Sequence, residues 1–487
     1  MFKNIIWDFL GKFSVQLIGF GITVLLTRMV SPAEFGIMGM AMAIIVIAHL
    51  FLDLGFNRAI IQHASITEVQ YATIFYLNAM VAIALTGICY LLAYPLSIFY
   101  KEPLIEPVFR MLSVVFLING LNLVPSAILY KKLKFKLNSI LNITSSIIGG
   151  AIGVCMAFNG YGIWSLVAQS IVTSAIILVT NFIYAKWWPV YAFNLTSIKP
   201  LWSYGSKMFA SGLLDSVYTR LDIFIIGKIF STSTLGFYTR AQSMDNLVRQ
   251  LSVNSIMGAM FPYIAKHQDD RLFLKELYER YLHVISFIAI ALSGVLFLIA
   301  HYLFNILFTA SWQYAASLFQ LMSVVGFAWP VSSLMCNIIS GVGNAKAFLK
   351  LEVYKKLLFL PVYLVGFVFG LKGFLYIFIL ANVVGVTINA VFLTKELSIS
   401  VFAQLKVIAS YFVAAVLSIC ITYPLIQFTE AQGDWTKSIL LTICFAFSYL
   451  LLCYLLKLEA IKNIPVLYTK IYTYFYDKRN KNLSASI

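Results

Sequence analysis

The chain has 487 residues, 61% of them hydrophobic and 11% charged, with a formal net charge of +16. Soluble domains run at about 45–50% apolar and about 25% charged residues, so a water-soluble globule is excluded and lipid must solvate most of this chain. A nucleic-acid partner is not expected from the positive charge, because the basic residues sit in short loops between apolar runs, where they set membrane topology.

Apolar runs of roughly 20 residues, enough to span as helices, recur from Leu10 to Leu456. They alternate too poorly for barrel strands. The first follows Lys3, Asp8 and Lys12 with no small-residue cleavage site, and reads as an uncleaved span. In chain order about 14 span cores are expected by length. They are 9–28, 35–56, 72–95, 109–129, 138–158, 162–184, 207–229, 235–262, 281–308, 315–339, 347–370, 373–394, 404–425 and 438–456. The fold class expected is an all-α polytopic membrane protein.

An even number of spans puts both termini on one side. With the N-terminus in the cytoplasm, the cytoplasmic segments hold roughly 23 basic residues and the opposite side roughly 6. Lys131, Lys132, Lys134, Lys136 and Lys186 belong to the richer side. The longest polar stretch, Ala265 to Arg280, pairs His267, Asp269, Asp270, Glu276 and Glu279 with basic residues and suits a short solvated helix. After Leu456 lysines alternate with Tyr468, Tyr472, Tyr474 and Tyr476, which fits either a helix at the headgroup layer or a disordered basic end. Cys89, Cys155, Cys336, Cys420, Cys444 and Cys453 fall in apolar runs, so neither disulfide nor metal site is expected.

An internal repeat is present. Val24 to Ala41 (VLLTRMVSPAEFGIMGMA) aligns without gaps on Phe224 to Ala241 (FIIGKIFSTSTLGFYTRA). Arg28 meets Lys228, Ser31 meets Ser231 and Gly36 meets Gly236, always 200 residues apart. Six crossings return the chain to its starting side, so the repeat is parallel about an axis along the membrane normal. The domains expected are a six-helix lobe at 1–200, a second at 201–400, two added helices at 401–456 and a basic cytoplasmic tail at 457–487. Two such bundles around a central cleft suit alternating access.

The sequence carries no phosphate loop, no H-E-x-x-H and no G-x-S-x-G elbow, and no enzyme activity, metal or cofactor is expected. Charges inside spans are the informative residues, because placing them in hydrocarbon costs several kcal/mol. Lys12, Asp215, Arg220, Asp222 and Arg249 are the candidate cleft residues. Asp215 and Asp222, seven apart, would share one helical face. Asp245 with Arg249, and Glu352 with Lys356, read equally well as self-neutralising pairs four apart. Arg28, Lys228 and Arg240 suit snorkelling at the outer interface. Asp53 either faces the cleft or bonds the backbone or Asn57. The basic balance suits an anionic group such as a pyrophosphate, which arginine holds in bidentate geometry.

The stretches LLTRMVSPAEFGIMGMAMAI, FLDLGFNRAIIQ and IIGKIFSTSTLGFYTRAQSM resemble the polysaccharide transporter family. That family includes the Wzx-type flippases of O-antigen, colanic acid and related exopolysaccharides, within the multidrug/oligosaccharidyl-lipid/polysaccharide superfamily. The resemblance implies two lobes with a central cavity in the bacterial inner membrane. It implies translocation of undecaprenyl-pyrophosphate-linked oligosaccharide repeat units from the cytoplasmic to the periplasmic leaflet, for lipopolysaccharide, capsule or exopolysaccharide. A polysaccharide polymerase and chain-length proteins are the implied partners. It places Lys12, Arg220 and Arg249 on the substrate and Asp215 and Asp222 in ion coupling. The alternatives kept beside it are an ion-coupled multidrug exporter, a polysaccharide polymerase or ligase, and a scaffold of the glycan assembly complex.

Overall fold

A computed structural model describes residues 2–53, 55–63, 65–196, 198, 209, 212–213, 215–268, 270–342, 344–428 and 432–461. Asp269, the tail from 462 onward, and 207–208, 210–211 and 214 of the expected seventh span lie outside the described residues. Among the described residues every regular element is helical.

The chain divides into two compact units, 1–239 and 240–487. The first holds α1 (Phe2–Met29), α2 (Pro32–Asp53), α3 (Phe56–Gln62), α4 (Glu68–Tyr100), α5 (Ile105–Lys131), α6 (Phe135–Phe158), α7 (Ile163–Ala185), α8 (Leu221–Ile229) and the opening turns of α9 (Thr232–Lys266). In it α4 lies along α5, α6 along both α1 and α7, and α5 also meets α2 and α7. The second unit takes the rest of α9, then α10 (Arg271–Leu307), α11 (Gln313–Val324), α12 (Ala328–Gly341), α13 (Ala345–Val365), α14 (Gly370–Leu397), α15 (Val401–Thr422), α16 (Leu425–Phe428) and α17 (Asp434–Leu455). Here α10 is the central post, packed against α11, α15 and α17. The expected polar helix at 265–280 is absorbed into the first turns of α10, whose N-terminus Asp270 caps by accepting from the Phe273 amide at 2.9 Å.

Lipid explains the side-chain distribution. Outward faces are apolar: Ile83 and Leu91 on α4, and Ile443 and Phe447 on α17, are exposed. Interior hydroxyls return to their own helix, as Ser145 does to Leu141 O and Ser418 to Ala414 O, so no polar group is left facing hydrocarbon there. Nine described helices have the length and apolarity to cross a membrane, and α11 with α12, bent by 40°, makes a tenth. The other four expected spans fall on α1, residues 215–229, α9 and α13, the helices that carry the mid-span charges.

The α10–α15–α17 seam in the second unit is polar inside an apolar core. Tyr278 donates to Gln404 Oε1 at 2.8 Å, and the Gln404 amide donates to Ala390 O, Thr394 Oγ1 and Ile399 O. Tyr449 donates to Phe287 O at 3.2 Å. The two helices beyond the repeat are thereby fastened to α10.

The repeat is visible in the first unit as a reciprocal helix crossing. A Cβ on Gly36 would overlap the Thr232 carbonyl oxygen and stand 3.1 Å from the Gly236 nitrogen. A Cβ on Gly236 would overlap the Pro32 carbonyl oxygen and stand 3.2 Å from the Gly36 nitrogen. Gly36 and Gly236 are 200 residues apart, as are Pro32 and Thr232, so the two contacts are equivalent under the alignment. Only glycine lets two backbones meet this closely. The two helix starts are also capped alike. Ser31 Oγ bonds Glu34 Oε2 at 2.7 Å, and Ser231 Oγ bonds Thr234 Oγ1 at 2.9 Å. Glu34 does more than its counterpart, because its other oxygen accepts from the Ile163 amide at 2.8 Å and caps α7.

Asp222 joins α8 to α9. It is 4% exposed, and its carboxylate accepts from Tyr238 OH at 2.6 Å and from the Ile223 amide at 2.8 Å.

Gly36→Ala and Gly236→Ala should each destabilise the detergent-purified protein by about 1–3 kcal/mol, the usual cost of overpacking. Gly19→Ala and Gly87→Ala, where an added Cβ meets nothing within 4 Å, should not; thermal unfolding reads the difference. Tyr238→Phe should cost about 1–3 kcal/mol in the same assay, since it leaves a buried carboxylate without one of its hydrogen-bond donors.

Candidate functional site

The second unit contains a small cavity of about 20 Å³ between α9, α10 and the α11–α12 break. Asp245 and Arg249 of α9 form its polar wall, joined by a salt bridge of 2.6 Å. Their side chains are 10% and 20% exposed, so the pair is largely removed from solvent. Leu292, Leu296 and Phe319 supply the apolar lining, and Ser293 and Ser323 two hydroxyls.

The break that shapes this pocket has a sequence cause. Between α11 and α12 the hydrogen bonds tighten, with the Val325 amide bonding Met322 O and the Gly326 amide bonding Ser323 O. Pro330 has no amide hydrogen, so the Gly326 carbonyl loses its helical donor. Gly326 and Pro330 both line the pocket. In membrane transporters, interrupted helices mark places where backbone polar groups can meet a ligand. The run 315–339 reads as one continuous span by hydropathy; the Gly326–Pro330 spacing is the signal that marks its interruption.

One turn before the pair, Arg240 is 6% exposed, and its guanidinium carbon lies 5.8 Å from the Trp312 ring and 5.9 Å from the Phe308 ring. It does not snorkel outward as expected. Lys228 does reach a helix end: its ammonium donates to the Phe99 carbonyl and lies 4.1 Å from the Phe99 ring, at the end of α4.

The other candidates lie in the first unit. Lys12 is exposed on α1, Asp215 is exposed, and Arg220 is half-buried at the start of α8. Asp215 and Asp222 do not lie on one continuous helix, because a turn at Thr219–Arg220 separates the helical residues 215–218 from α8. Asp53 accepts from the Asn57 amide at 3.0 Å, the local bond of its two readings. Glu352 pairs with Lys355 at 2.6 Å, three residues away, where the spacing pointed to Lys356.

Residues 25–317, more than half of the chain, match the polysaccharide biosynthesis protein family. The succinoglycan biosynthesis transport protein ExoT of Rhizobium meliloti (strain 1021) is 23% identical over 345 residues, 70% of this chain and 69% of its own. The lipopolysaccharide biosynthesis protein WzxC of Escherichia coli (strain K12) is 24% identical over 362 residues, 72% of this chain and 73% of its own. Among solved structures, the lipid II flippase MurJ in an inward closed conformation matches with a TM-score of 0.74 over 94% of this chain and 100% of its own, at 13% identity. An inward-facing multidrug resistance MATE family transporter of the MOP superfamily matches with a TM-score of 0.60 over 81% of this chain and 95% of its own, at 14% identity. These two likenesses establish the fold. The chain belongs to the polysaccharide biosynthesis protein family, as a multi-pass bacterial membrane protein built on the fold of these transporters.

Proposed function

We propose that this protein is a flippase that moves undecaprenyl-pyrophosphate-linked oligosaccharide repeat units from the cytoplasmic to the periplasmic leaflet of the bacterial inner membrane. The observation that carries the reading is the Asp245–Arg249 pair at the edge of a pocket beside a broken helix. A polar oligosaccharide head cannot cross about 30 Å of hydrocarbon unaided, whereas its polyprenyl tail can stay in lipid. The protein must offer the anionic head a cation and then release it. An arginine already satisfied by its own carboxylate does both. A pyrophosphate outcompetes Asp245 by offering more oxygens in bidentate geometry, and Asp245 reclaims the guanidinium when the head leaves. The names of the relatives point the same way: succinoglycan transport for ExoT, lipopolysaccharide biosynthesis for WzxC.

Lys12 and Arg220 are proposed as further cations along the route, in two six-helix repeats working by alternating access. Of the two coupling candidates, exposed Asp215 suits a proton or sodium ion better than Asp222, which is buried and holds Tyr238. The basic asymmetry of the loops supports cytoplasmic termini. The polymerase and chain-length proteins that use the flipped unit are the proposed partners.

In the host, deleting the gene should trap lipid-linked repeat units facing the cytoplasm and abolish the polymer. A periplasm-restricted probe compared with total lipid extraction reads this. Repeat units that still reach the periplasm, with redundant genes removed, would refute the proposal.

Arg249→Ala should lower export at least tenfold and also strand Asp245, at a stability cost of about 3–5 kcal/mol. The double variant Asp245→Asn/Arg249→Gln should regain thermal stability without regaining export. Export by that double variant at the wild-type rate would remove the pair from the transport site.

A further inference from the structure

Lys131 is the last residue of α5, and its ammonium is buried with no hydrogen-bond partner among the described residues. It stands 5.9 Å from the ring of Tyr71. Tyr71 meets Trp187 edge-on at 6.2 Å, and the Trp187 indole donates to Glu68 Oε2 at 2.7 Å. The one carboxylate in this group is therefore engaged by Trp187, and it forms no ion pair with Lys131. An ammonium has three donors, and a buried one without acceptors is costly. Ring contact at this distance returns only about 0.5–1 kcal/mol. The geometry calls for an external acceptor.

Three more lysines crowd the same end of the first unit. Lys132 and Lys134 are exposed in the turn between α5 and α6, and Lys186 is exposed at the end of α7. None of them has an acidic partner among the described residues. The ends of α5 and α7 are held together by one core that contains Ile128, Leu129, Ala185 and Trp187. Beside the lysines, Leu133, Tyr184 and Trp188 are exposed. A site for a freely soluble anion has no use for an exposed leucine and tryptophan. At the headgroup layer of a bilayer, aromatic and basic side chains belong together, and basic niches between helices hold anionic headgroups.

We infer that this end of the first unit is a binding site for the phosphate of an anionic phospholipid, with Lys131 as its buried contact. The phosphate oxygens accept from the Lys131 ammonium. Lys132, Lys134 and Lys186 hold the headgroup's negative charge at the mouth, and Trp188 and Leu133 meet the glycerol and upper acyl region. The inference stands apart from the transport reading, since it concerns a lipid that stays in its leaflet.

The test uses purified full-length protein and three probes: fluorescent phosphatidylglycerol, fluorescent phosphatidylcholine, and unlabelled competitors. Wild type should bind phosphatidylglycerol at least tenfold more tightly than phosphatidylcholine. Lys131→Met should reduce that preference to threefold or less, while Lys131→Arg and the exposed control Lys406→Gln keep it. Without anionic lipid, Lys131→Met should melt at or above the wild-type temperature, because it removes an unsatisfied donor; this shows that the variant folds. Equal binding of the two lipids by wild type, or an unchanged preference in Lys131→Met, would overturn the site. Displacement of phosphatidylglycerol by inorganic pyrophosphate alone would reassign it to a soluble anion. Displacement by undecaprenyl pyrophosphate at least tenfold below the concentration of unlabelled phosphatidylglycerol required would reassign it to a polyprenyl carrier lipid.

Discussion

The crossing of α2 and α9 at Gly36 and Gly236 constrains everything around it. Two backbones in van der Waals contact leave no room for adjustment by rotamers, so the register of the two helix starts is set to within one residue. From that contact follow the twin serine caps at Ser31 and Ser231, the placement of Asp222 against Tyr238, and the reach of Glu34 across to the first amide of α7. The contact is reciprocal because the matched positions meet one another, Gly36 with Gly236 and each glycine with the residue opening the other helix. The side chains around the glycines differ: Glu34 ties to a third helix, whereas Thr234 meets Ser231.

Three described cations of α8 and α9 are handled by three different devices. Asp245 and Arg249 neutralise one another across a helical turn. Arg240 is covered by the faces of Trp312 and Phe308, whose quadrupoles favour a cation. Lys228 runs to a carbonyl at a helix end. Only the first is reversible by a competing ligand without repacking an aromatic core or moving a helix terminus. That difference in reversibility, more than the mere presence of charge, distinguishes Arg249 from the other basic residues of α8 and α9.

Much of the architecture was legible because lipid imposes a simple rule: long apolar runs become helices, and described residues of every expected core are helical. The repeat was legible because glycine and serine positions recur at one spacing. What could not be read had a common cause, namely local breaks in helices. A seven-residue spacing places Asp215 and Asp222 together only if the helix is continuous, and the turn at Thr219–Arg220 removes that condition. Hydropathy treats 315–339 as uniform, although the bend at 325–327 creates the pocket lining that Arg249 needs. Spacing also cannot choose between Lys355 and Lys356 as the partner of Glu352, since both three- and four-residue separations lie on one helical face.

Helix α9 runs without interruption from Thr232 to Lys266. Gly236, at its tight crossing with α2, and Arg249, in the pocket wall, are thirteen residues apart on it, about 20 Å at ~1.5 Å per residue. Asp245 and Arg249 both ride on this helix, one turn apart, so a rigid tilt of α9 carries the two charges together and leaves their salt bridge intact. A competitor for the guanidinium must therefore arrive from off the helix, as a guest whose oxygens replace the carboxylate where it stands.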